Sequence, residues 1–240
     1  MQVLVDMGNT RTKYCCYESG SFGATEKVLN TELNIEWMTE HWLHASKVVF
    51  ASVADDTYRQ QIERWCALSG IEFVNVETGS QYFGVTNGYQ NYRQLGVDRW
   101  LALLGTKRLF QKQTCIIVDA GTATTVDVID AQGMHQGGWI LAGIDTLVES
   151  IQIKTAKVSG EKLSLEKMSF GKNTSENLAQ AAWAATIGLV NQAMALVQSR
   201  GAQVDRIIVT GGNAGMLMQL SEQRYTLEPQ LVFHGLATYI

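Results

Sequence analysis

The chain contains 240 residues, of which 46% are hydrophobic and 18% are charged, and its formal net charge is −4 at pH 7. This composition is typical of a globular protein with one large domain or two small ones, and the negative charge argues against a general nucleic-acid-binding or anionic-membrane surface. The sequence has no apolar run of the roughly 18 residues that span a bilayer, and its first residues do not resemble a signal peptide, so we expect a cytoplasmic protein.

Stretches rich in valine and isoleucine alternate along the chain with stretches of helical periodicity. Alternation of this kind predicts an α/β protein with mixed sheets flanked by helices. The predicted strands are residues 2–7, 13–18, 47–53, 71–76, 114–120, 124–130, 206–212 and 230–235. The predicted helices are residues 33–44, 55–69, 97–111, 174–199 and 213–222.

The cysteines are Cys15, Cys16, Cys66 and Cys115. Their spacing is neither that of a Cys-x-x-Cys metal pair nor that of a disulfide scaffold. The adjacent pair could be redox-active, but a strand that places sulfur on both of its faces is the simpler interpretation. We therefore expect reduced, mostly buried thiols.

The first predicted strand leads into VDMGNTRTK at residues 5–13, and the fifth leads into the similar stretch VDAGTATTVD at residues 118–127. Each stretch joins two β-like runs and is typical of a hairpin turn. The aspartates of the two stretches, Asp6 and Asp119, are separated by nearly half of the chain. This spacing predicts a duplication, with halves at residues 1–113 and 114–240 that each open with a hairpin.

Both turns contain residue types that bind phosphate. Glycine lets the backbone approach a ligand, exposed N–H groups and threonine hydroxyls can donate to phosphate oxygens, and aspartate can hold a cation or a metal-bound water. A plain hairpin is the alternative for either turn alone, but two copies at half-chain spacing favour phosphate binding. Lys13 could add positive charge beside the first turn, or it could be an ordinary surface lysine.

A third glycine-rich turn lies in IIVTGGNAG, residues 207–215, between a predicted strand and a predicted helix. Gly211 and Gly212 would let the backbone pass close to a base or ribose, and the N-terminus of the following helix favours negative charge. Tight packing between a strand and a helix is the alternative for this turn alone. The three turns together predict a nucleotide site, although neither Gly-x-x-x-x-Gly-Lys-Ser/Thr nor Gly-x-Gly-x-x-Gly occurs.

A candidate site for a phosphate acceptor lies in YQNYRQLGVDRWLALLG, residues 89–105. Asp98 and Arg99 are adjacent at the start of a predicted amphipathic helix, shortly after Gly96. The aspartate could accept a proton from a hydroxyl group, and the arginine could bind a carboxylate through two hydrogen bonds. The alternative is a helix-start aspartate that is stabilised by the helix dipole, beside a surface arginine.

The segments DMGNTRTK, YQNYRQLGVDRW, DAGTATTVD, GGWILAG and GKNTSENLAQAA occur in this order over most of the chain. Together they resemble the type III pantothenate kinases, a family of the acetate and sugar kinase, actin and heat-shock chaperone superfamily. The resemblance implies a duplicated ribonuclease H-like fold with the nucleotide in the cleft between the halves. It also implies ATP-dependent phosphorylation of pantothenate to 4′-phosphopantothenate, the first committed step of coenzyme A biosynthesis.

The resemblance further implies roles for individual residues. Asp6 would bind Mg²⁺ with the ATP phosphates, Asp119 would bind a monovalent cation, K⁺ or NH₄⁺, and Asp98 would be the general base. Arg99 would bind the pantothenate carboxylate. The residues predicted for ATP are Asp6, Met7, Gly8, Asn9, Thr10, Arg11, Thr12, Lys13, Thr122, Gly211 and Gly212. Those predicted for pantothenate are Tyr89, Gly96, Val97, Asp98, Arg99 and Thr174.

Thr174 matches a residue that the family supplies near a dimer interface, which implies a homodimer. The same residue lies in NTSE, where Asn173 precedes Glu176 by three positions in the pattern of a helix capping box. Thr174 could therefore do no more than occupy the first helical turn. The apolar stripe of this helix could serve either a dimer interface or the core; it includes Ala181, Ala185, Leu189 and Val190.

Two positions depart from the family pattern. Ala142 stands where a proline is usual, which loosens one turn without removing a functional side chain. Tyr92 also replaces a common proline, which leaves Tyr89 as the match at seven residues before Gly96.

Two alternatives come from other functional classes. A phosphatase or another small-molecule kinase on the same fold would keep the phosphate turns without the acceptor segment. An accessory protein could bind ATP without turnover. The intact pair Asp98 and Arg99 argues against both.

Overall fold

The computed structural model describes residues 1–154 and 165–240, which fall into two compact units. Unit 1 comprises Met1–Gln111 and Gln230–Ile240, and unit 2 comprises Lys112–Pro229. The boundary predicted after residue 113 lies close to the start of unit 2. The sequence placed residues 230–240 in the second half, whereas the structure packs them with unit 1.

The elements follow one another in alternating groups of strands and helices. The strands are β1 (Gln2–Met7), β2 (Arg11–Glu18), β3 (Ser21–Phe22), β4 (Glu26–Leu29), β5 (Lys47–Ser52), β6 (Glu72–Asn75), β7 (Gln81–Tyr82), β8 (Val85–Thr86), β9 (Cys115–Ala120), β10 (Ala123–Ile129), β11 (His135–Ala142), β12 (Arg206–Thr210) and β13 (Tyr225–Leu227). The α-helices are α1 (Ile35–Trp42), α2 (Asp56–Ser69), α3 (Val97–Leu109), α4 (Ile144–Lys154), α5 (Thr174–Ser199), α6 (Ala214–Leu220) and α7 (Leu231–Leu236). Single 3₁₀ turns cover Tyr92–Gln94 and Ala237–Tyr239.

Unit 1 is built on a mixed sheet with the strand order β3-β2-β1-β5-β6, in which β4 also pairs with β2. Strand β1 pairs antiparallel with β2 and parallel with β5, and β5 pairs parallel with β6. Val3, Leu4, Val5 and Met7 of β1 are fully buried. A strand covered on both faces needs such a continuous apolar run, which explains the sequence of β1.

Unit 2 repeats this topology in the order β11-β10-β9-β12-β13. Its first strand, β9, pairs antiparallel with β10 and parallel with β12, and β12 pairs parallel with β13. Two units with the same strand order and directions confirm the predicted duplication and the α/β class with mixed sheets. The structure adds β11 and α4, which the sequence reading did not predict.

Helix α7 corrects one prediction. Residues 230–235 were predicted to form a strand, but Leu231–Leu236 are helical and pack closely against α3. A Cβ atom on Gly235 would lie 2.7 Å from the backbone carbonyl carbon of Leu101 and would overlap its oxygen, and a Cβ on Gly105 would overlap the carbonyl oxygen of Leu231. The glycine contact therefore outweighs the β-preference of the valine and phenylalanine in this stretch.

The cysteines are free, as predicted, and all except Cys16 are buried. Burial raises the pKa of the Cys15 and Cys66 thiols to about 12 and that of Cys115 to about 11. These three thiols therefore stay protonated and unreactive at neutral pH.

Across the residues that the structure describes, no helix combines the length and the apolar character required to cross a membrane.

The close approach of α3 and α7 yields a stability prediction. Gly235→Ala must push the two helix backbones apart, so we expect it to lower the free energy of unfolding by about 1–3 kcal/mol or more, measured by urea denaturation. Gly215→Ala on α6 is the matched control, because a Cβ there meets nothing within 4 Å. Alanine is favoured over glycine in a helix by about 1 kcal/mol, so this control should be neutral or stabilising. Equal effects of the two substitutions would contradict the packing explanation.

Candidate active site

The turn between β1 and β2 presents backbone and polar side chains at the carboxyl end of β1. Asp6 pairs with Lys13 across the hairpin and with Ala51 on β5. The N–H of Gly8 donates to the carbonyl of Arg11 at 3.0 Å and closes the turn. Asn9, Thr10, Arg11 and Lys13 are exposed, whereas the side chain of Met7 lies in the core. Met7 can therefore offer a ligand only its backbone.

Asn30 stabilises this turn through side-chain hydrogen bonds and was not predicted from the sequence. Its side-chain amide donates to the carbonyls of Gly8 at 2.8 Å and Asn9 at 3.2 Å. The hydroxyl of Thr12, which is fully buried, donates to the Asn30 side-chain oxygen at 2.9 Å. Thr12 thus stabilises the turn, and its hydroxyl is directed to Asn30. No local pattern connects two residues so far apart in sequence, so no sequence signal identifies Asn30.

A cavity of about 550 Å³ opens at the carboxyl ends of β5 and β6. The last residues of these strands, Ser52 and Asn75, line one side, and Gly96 and Val97 at the start of α3 line another. In open α/β sheets, ligands bind beyond the carboxyl ends of the parallel strands. The cavity is therefore a candidate acceptor site within unit 1.

Charged side chains make this cavity polar. Its further lining residues include Asp55, Asp56, Arg59, Glu77, Tyr92 and Arg93. The guanidinium of Arg59 is paired with the carboxylates of Asp56 and Glu63. Tyr92, where the resemblance predicts a proline, begins the 3₁₀ turn that leads to Gly96. The substitution therefore places an aromatic ring in the wall of the cavity.

Asp98 directly follows Val97, the last lining residue in the sequence, and lies in the first turn of α3. Its Oδ1 accepts the backbone N–H of Arg99 at 2.8 Å, as expected of a helix-start aspartate. A Cβ on Gly96 would lie only 2.5 Å from this oxygen, so a side chain at position 96 would displace the carboxylate from this position. Within the described part of the chain, Oδ2 accepts no hydrogen bond from another residue.

Arg99 and Tyr89 are brought together. The guanidinium of Arg99 donates to the Tyr89 hydroxyl at 2.8 Å, and its central carbon lies 5.7 Å from the centre of the tyrosine ring. Arg99 is only 6% exposed, so it is not the surface arginine of the alternative interpretation. Asn87, a second residue missed from the sequence, accepts the Tyr89 N–H at 3.0 Å and donates to the carbonyls of Gly79 and Tyr92.

In unit 2, Asp119 and Gly211 lie in contact at the ends of two neighbouring strands. Asp119 lies near the end of β9 and pairs with Thr210 on β12. Gly211 follows with a φ of +90°, and a Cβ there would lie 2.7 Å from Ala120 and would overlap Oδ1 of Asp119. The glycine thus makes the room that the carboxylate occupies. Gly212 is exposed beside it.

Thr122 occupies the exposed tip of the second hairpin turn. Its carbonyl accepts the N–H of Gly143 at 3.1 Å, and a Cβ on Gly143 would overlap that same oxygen. Ala142 ends β11 opposite Ala123. The contact of Gly143 with Thr122 therefore holds this turn, in which the resemblance predicts a proline at the position of Ala142.

Thr174 is the exposed first residue of α5. The preceding Asn173 accepts the N–H of Glu176 at 2.9 Å, and the Glu176 carboxylate accepts the N–H of Lys172 at 2.7 Å. The capping interaction expected from NTSE is thus present. The hydroxyl of Thr174 takes no part in this capping interaction. The cap therefore does not exclude a role for Thr174 in binding pantothenate.

Among the described residues, no group of three or more His, Cys, Asp or Glu side chains is arranged to hold a metal ion. Asp6 and Asp119 each stand at the end of a central strand, in units 1 and 2 respectively. Either carboxylate could supply one ligand to a metal ion, and water or a phosphate substrate could supply others. This donor set fits Mg²⁺, which usually keeps several waters and binds through one or two carboxylates with substrate phosphates.

Comparison with known proteins places the chain in a family. The sequence model of the type III pantothenate kinases matches residues 2–196. A type III pantothenate kinase of Colwellia psychrerythraea is 39% identical over 249 aligned positions and covers all of both chains. The enzyme of that name from Pseudoalteromonas translucida is 33% identical and covers 98% of this chain and 94% of its own.

A solved structure supports the fold. The activator of the 2-hydroxyisocaproyl-CoA dehydratase from Clostridium difficile, with bound ADPNP, superposes with a TM-score of 0.51. The match covers 99% of this chain and 93% of the activator at 12% identity, and it shows similarity of fold alone. The family match, in contrast, spans most of the sequence at substantial identity. This chain belongs to the type III pantothenate kinase family.

Proposed function

We propose that the chain catalyses ATP-dependent phosphorylation of pantothenate to 4′-phosphopantothenate, the first committed step of coenzyme A biosynthesis. One observation carries the proposal: unit 1 has both the aspartate turn after β1 and a cavity bounded by Gly96 and Val97 at the carboxyl ends of its parallel strands. Membership of the family supports the choice of substrates.

Asp98 is the proposed general base. The hydroxyl oxygen of pantothenate attacks the γ-phosphorus of ATP, its proton passes to the Asp98 carboxylate, and the bond to the bridging oxygen breaks to release ADP. A hydroxyl group is a weak nucleophile, and a positioned base contributes most while its proton is leaving. The support is that Oδ1 of Asp98 is held at the helix start by the N–H of Arg99, and that Asp98 directly follows Val97, a residue of the cavity lining.

Arg99 is the proposed partner of the pantothenate carboxylate. Its burial and its hydrogen bond to Tyr89 restrict the side chain to few orientations. An arginine with restricted orientation loses less entropy when it binds a carboxylate through two hydrogen bonds. Tyr89 would then act by holding Arg99 as well as by contacting the substrate.

The turn from Asp6 to Lys13 is proposed to bind the ATP phosphates, with Mg²⁺ held by Asp6. When bound, this ion would offset the negative charge that develops on the transferred phosphoryl group. In unit 2, Thr122 is proposed to contact a phosphate and Asp119 to hold K⁺ or NH₄⁺. The support for the cation role is the position of Asp119 near the carboxyl end of β9, the central strand of unit 2, beside the exposed tip of the second hairpin turn.

A cytoplasmic homodimer is the proposed working form. Its support is Thr174, which is exposed at the start of α5 and therefore accessible to a second copy of the chain. Along the same helix Ala181, Ala185 and Gly188 are exposed small residues that would allow close contact between helices. Equilibrium sedimentation tests this assembly, and a fully active monomer would exclude it.

The proposed activity is tested by a coupled assay of ADP release with and without pantothenate. We expect ADP formation that depends on pantothenate and is matched by the appearance of 4′-phosphopantothenate. ATP turnover that is indifferent to pantothenate would favour a phosphatase or ATPase. Binding of ATP without turnover would favour an accessory protein.

Asp98→Asn distinguishes between two possible roles of Asp98, that of a general base and that of a helix cap. It keeps the size of the side chain and much of its hydrogen bonding but removes the proton acceptor, so we expect kcat to fall by roughly 10²-fold or more with folding intact. Glu36→Gln is the control, because it removes a first-turn carboxylate from α1 in the same unit. A near-normal kcat for Asp98→Asn would show that Asp98 only caps α3.

Asp119 can be tested through its response to salts. We expect low activity with Mg²⁺ and ATP in Na⁺ or Tris buffer and restored activity in K⁺ or NH₄⁺, and we expect Asp119→Ala to lose this response. Asp130→Ala is the matched control, because Oδ1 of Asp130 caps a turn through the N–H groups of Gln132 and Met134. This control should keep the response to K⁺. Equal rates of the unmodified chain in Na⁺ and K⁺ would remove the cation role.

A further inference from the structure

The first turn of α3 depends on contacts from other parts of unit 1. Gly96 is its N-cap residue and has no side chain that could cap the helix. The hydroxyl of Thr78 holds the carbonyl of Leu95 at 2.8 Å, immediately before the helix. Arg99 donates a hydrogen bond to the hydroxyl of Tyr89. The next residue, Trp100, makes a further contact of this helical turn with another part of unit 1.

Trp100 is fully buried, and its indole N–H donates to the hydroxyl of Tyr239 at 3.2 Å. This bond joins the first turn of α3 to the returning segment, Gln230–Ile240, which rejoins unit 1 after the whole of unit 2. Farther along α3, the backbone of Leu101 packs against Gly235 of the same segment. The returning segment therefore supports α3 at the residues that directly follow Asp98 and Arg99.

Tyr239 is itself fixed in place. Its ring stacks on that of Tyr82, with centroids 4.4 Å apart and planes 16° from parallel. The hydroxyl of Tyr82 donates to the carbonyl of Thr238 at 2.6 Å, so two contacts join the β7–β8 ribbon to the returning segment. Burial raises the pKa of the Tyr239 hydroxyl, so the group stays neutral at the pH of an assay.

We propose that Tyr239 is a positioning residue for phosphoryl transfer. By accepting the hydrogen bond of Trp100, it fixes the first turn of α3 and with it the direction of the Asp98 carboxylate. In this proposal Tyr239 acts through Trp100 and not on the reacting atoms themselves. A shift of about 1 Å in a reacting group can cost 10²-fold in rate, so a small rotation of this turn is sufficient for an effect. The inference rests on the proposed function.

The test is Tyr239→Phe, which keeps the stacked ring and removes only the acceptor of the Trp100 hydrogen bond. We expect kcat for pantothenate phosphorylation to fall by about 5- to 20-fold. The KM for ATP should change by less than about twofold, since the phosphate turns are untouched. The matched control is Tyr225→Phe in unit 2, which removes a hydroxyl that donates to Ser221 at 3.0 Å. This control should leave kcat unchanged.

A second measurement separates positioning from general stability. If Tyr239 acts by directing Asp98, then adding Tyr239→Phe to Asp98→Asn should lower kcat by less than about twofold, because the base is already absent. A purely structural effect would lower kcat by a similar factor in both backgrounds, and that result would overturn the inference.

The remaining outcomes are also decisive. An unchanged kcat in Tyr239→Phe, with the unmodified chain active, would overturn the positioning role and leave the proposed function standing. An equal loss of kcat in Tyr225→Phe would overturn it as well, by showing that any lost tyrosine hydroxyl has this effect. If the unmodified chain releases no pantothenate-dependent ADP, the proposed function fails and the inference fails with it.

Discussion

Contact between the backbones of α3 and α7 determines how these two helices pack in unit 1. The contact exists because Gly105 and Gly235 have no side chains at the crossing point. Dispersion forces between two helices grow as their backbones approach, and interiors packed this closely resist displacement. Helix α3 presents Asp98 at one end, so the orientation of the candidate site follows from a crossing several residues away.

Glycines have a second use at the candidate site, where they leave space for a particular oxygen. At Gly96 that space is occupied by the carboxylate of Asp98, and at Gly211 by the carboxylate of Asp119. Gly143 gives the same room to a backbone carbonyl, that of Thr122. In each place the polar atom lies where a Cβ would otherwise be. In all three places the glycine allows an oxygen atom to lie close to the backbone.

Local patterns in the sequence predicted the two hairpins, the central strands and the start of α3. They succeeded because each depends on neighbouring residues, such as the apolar run of β1 and its following turn. Helix α4 was not predicted, although its apolar residues are spaced three and four apart as in a helix: Ile144, Leu147, Val148 and Ile151. In β11 the two glycines, Gly137 and Gly138, lower the strand propensity, so pairing with β10 determines its structure.

Other features of the site depend on residues that are distant in sequence. Asn30 and Asn87 hold backbone carbonyls through side-chain amides, and an isolated asparagine in a loop has no periodicity to reveal that role. The helical state of residues 231–236 follows from the facing surface of α3 and was predicted wrongly for that reason. The catalytic and binding roles of the site residues stay predictions, since they concern ligands as well as the fold.

The discontinuity of unit 1 has a consequence for the order of events during synthesis. Domains generally fold as their residues leave the ribosome, with N-terminal domains first. Here all of unit 2 is translated before Gln230–Ile240, so a nascent chain without this segment has α3 but not its partner α7. Unit 2 can complete its sheet while unit 1 still lacks one helix. The half of the protein whose synthesis begins first thus depends on a segment that is translated after all of unit 2, and α3 has no contact with α7 until Gln230–Ile240 leaves the ribosome.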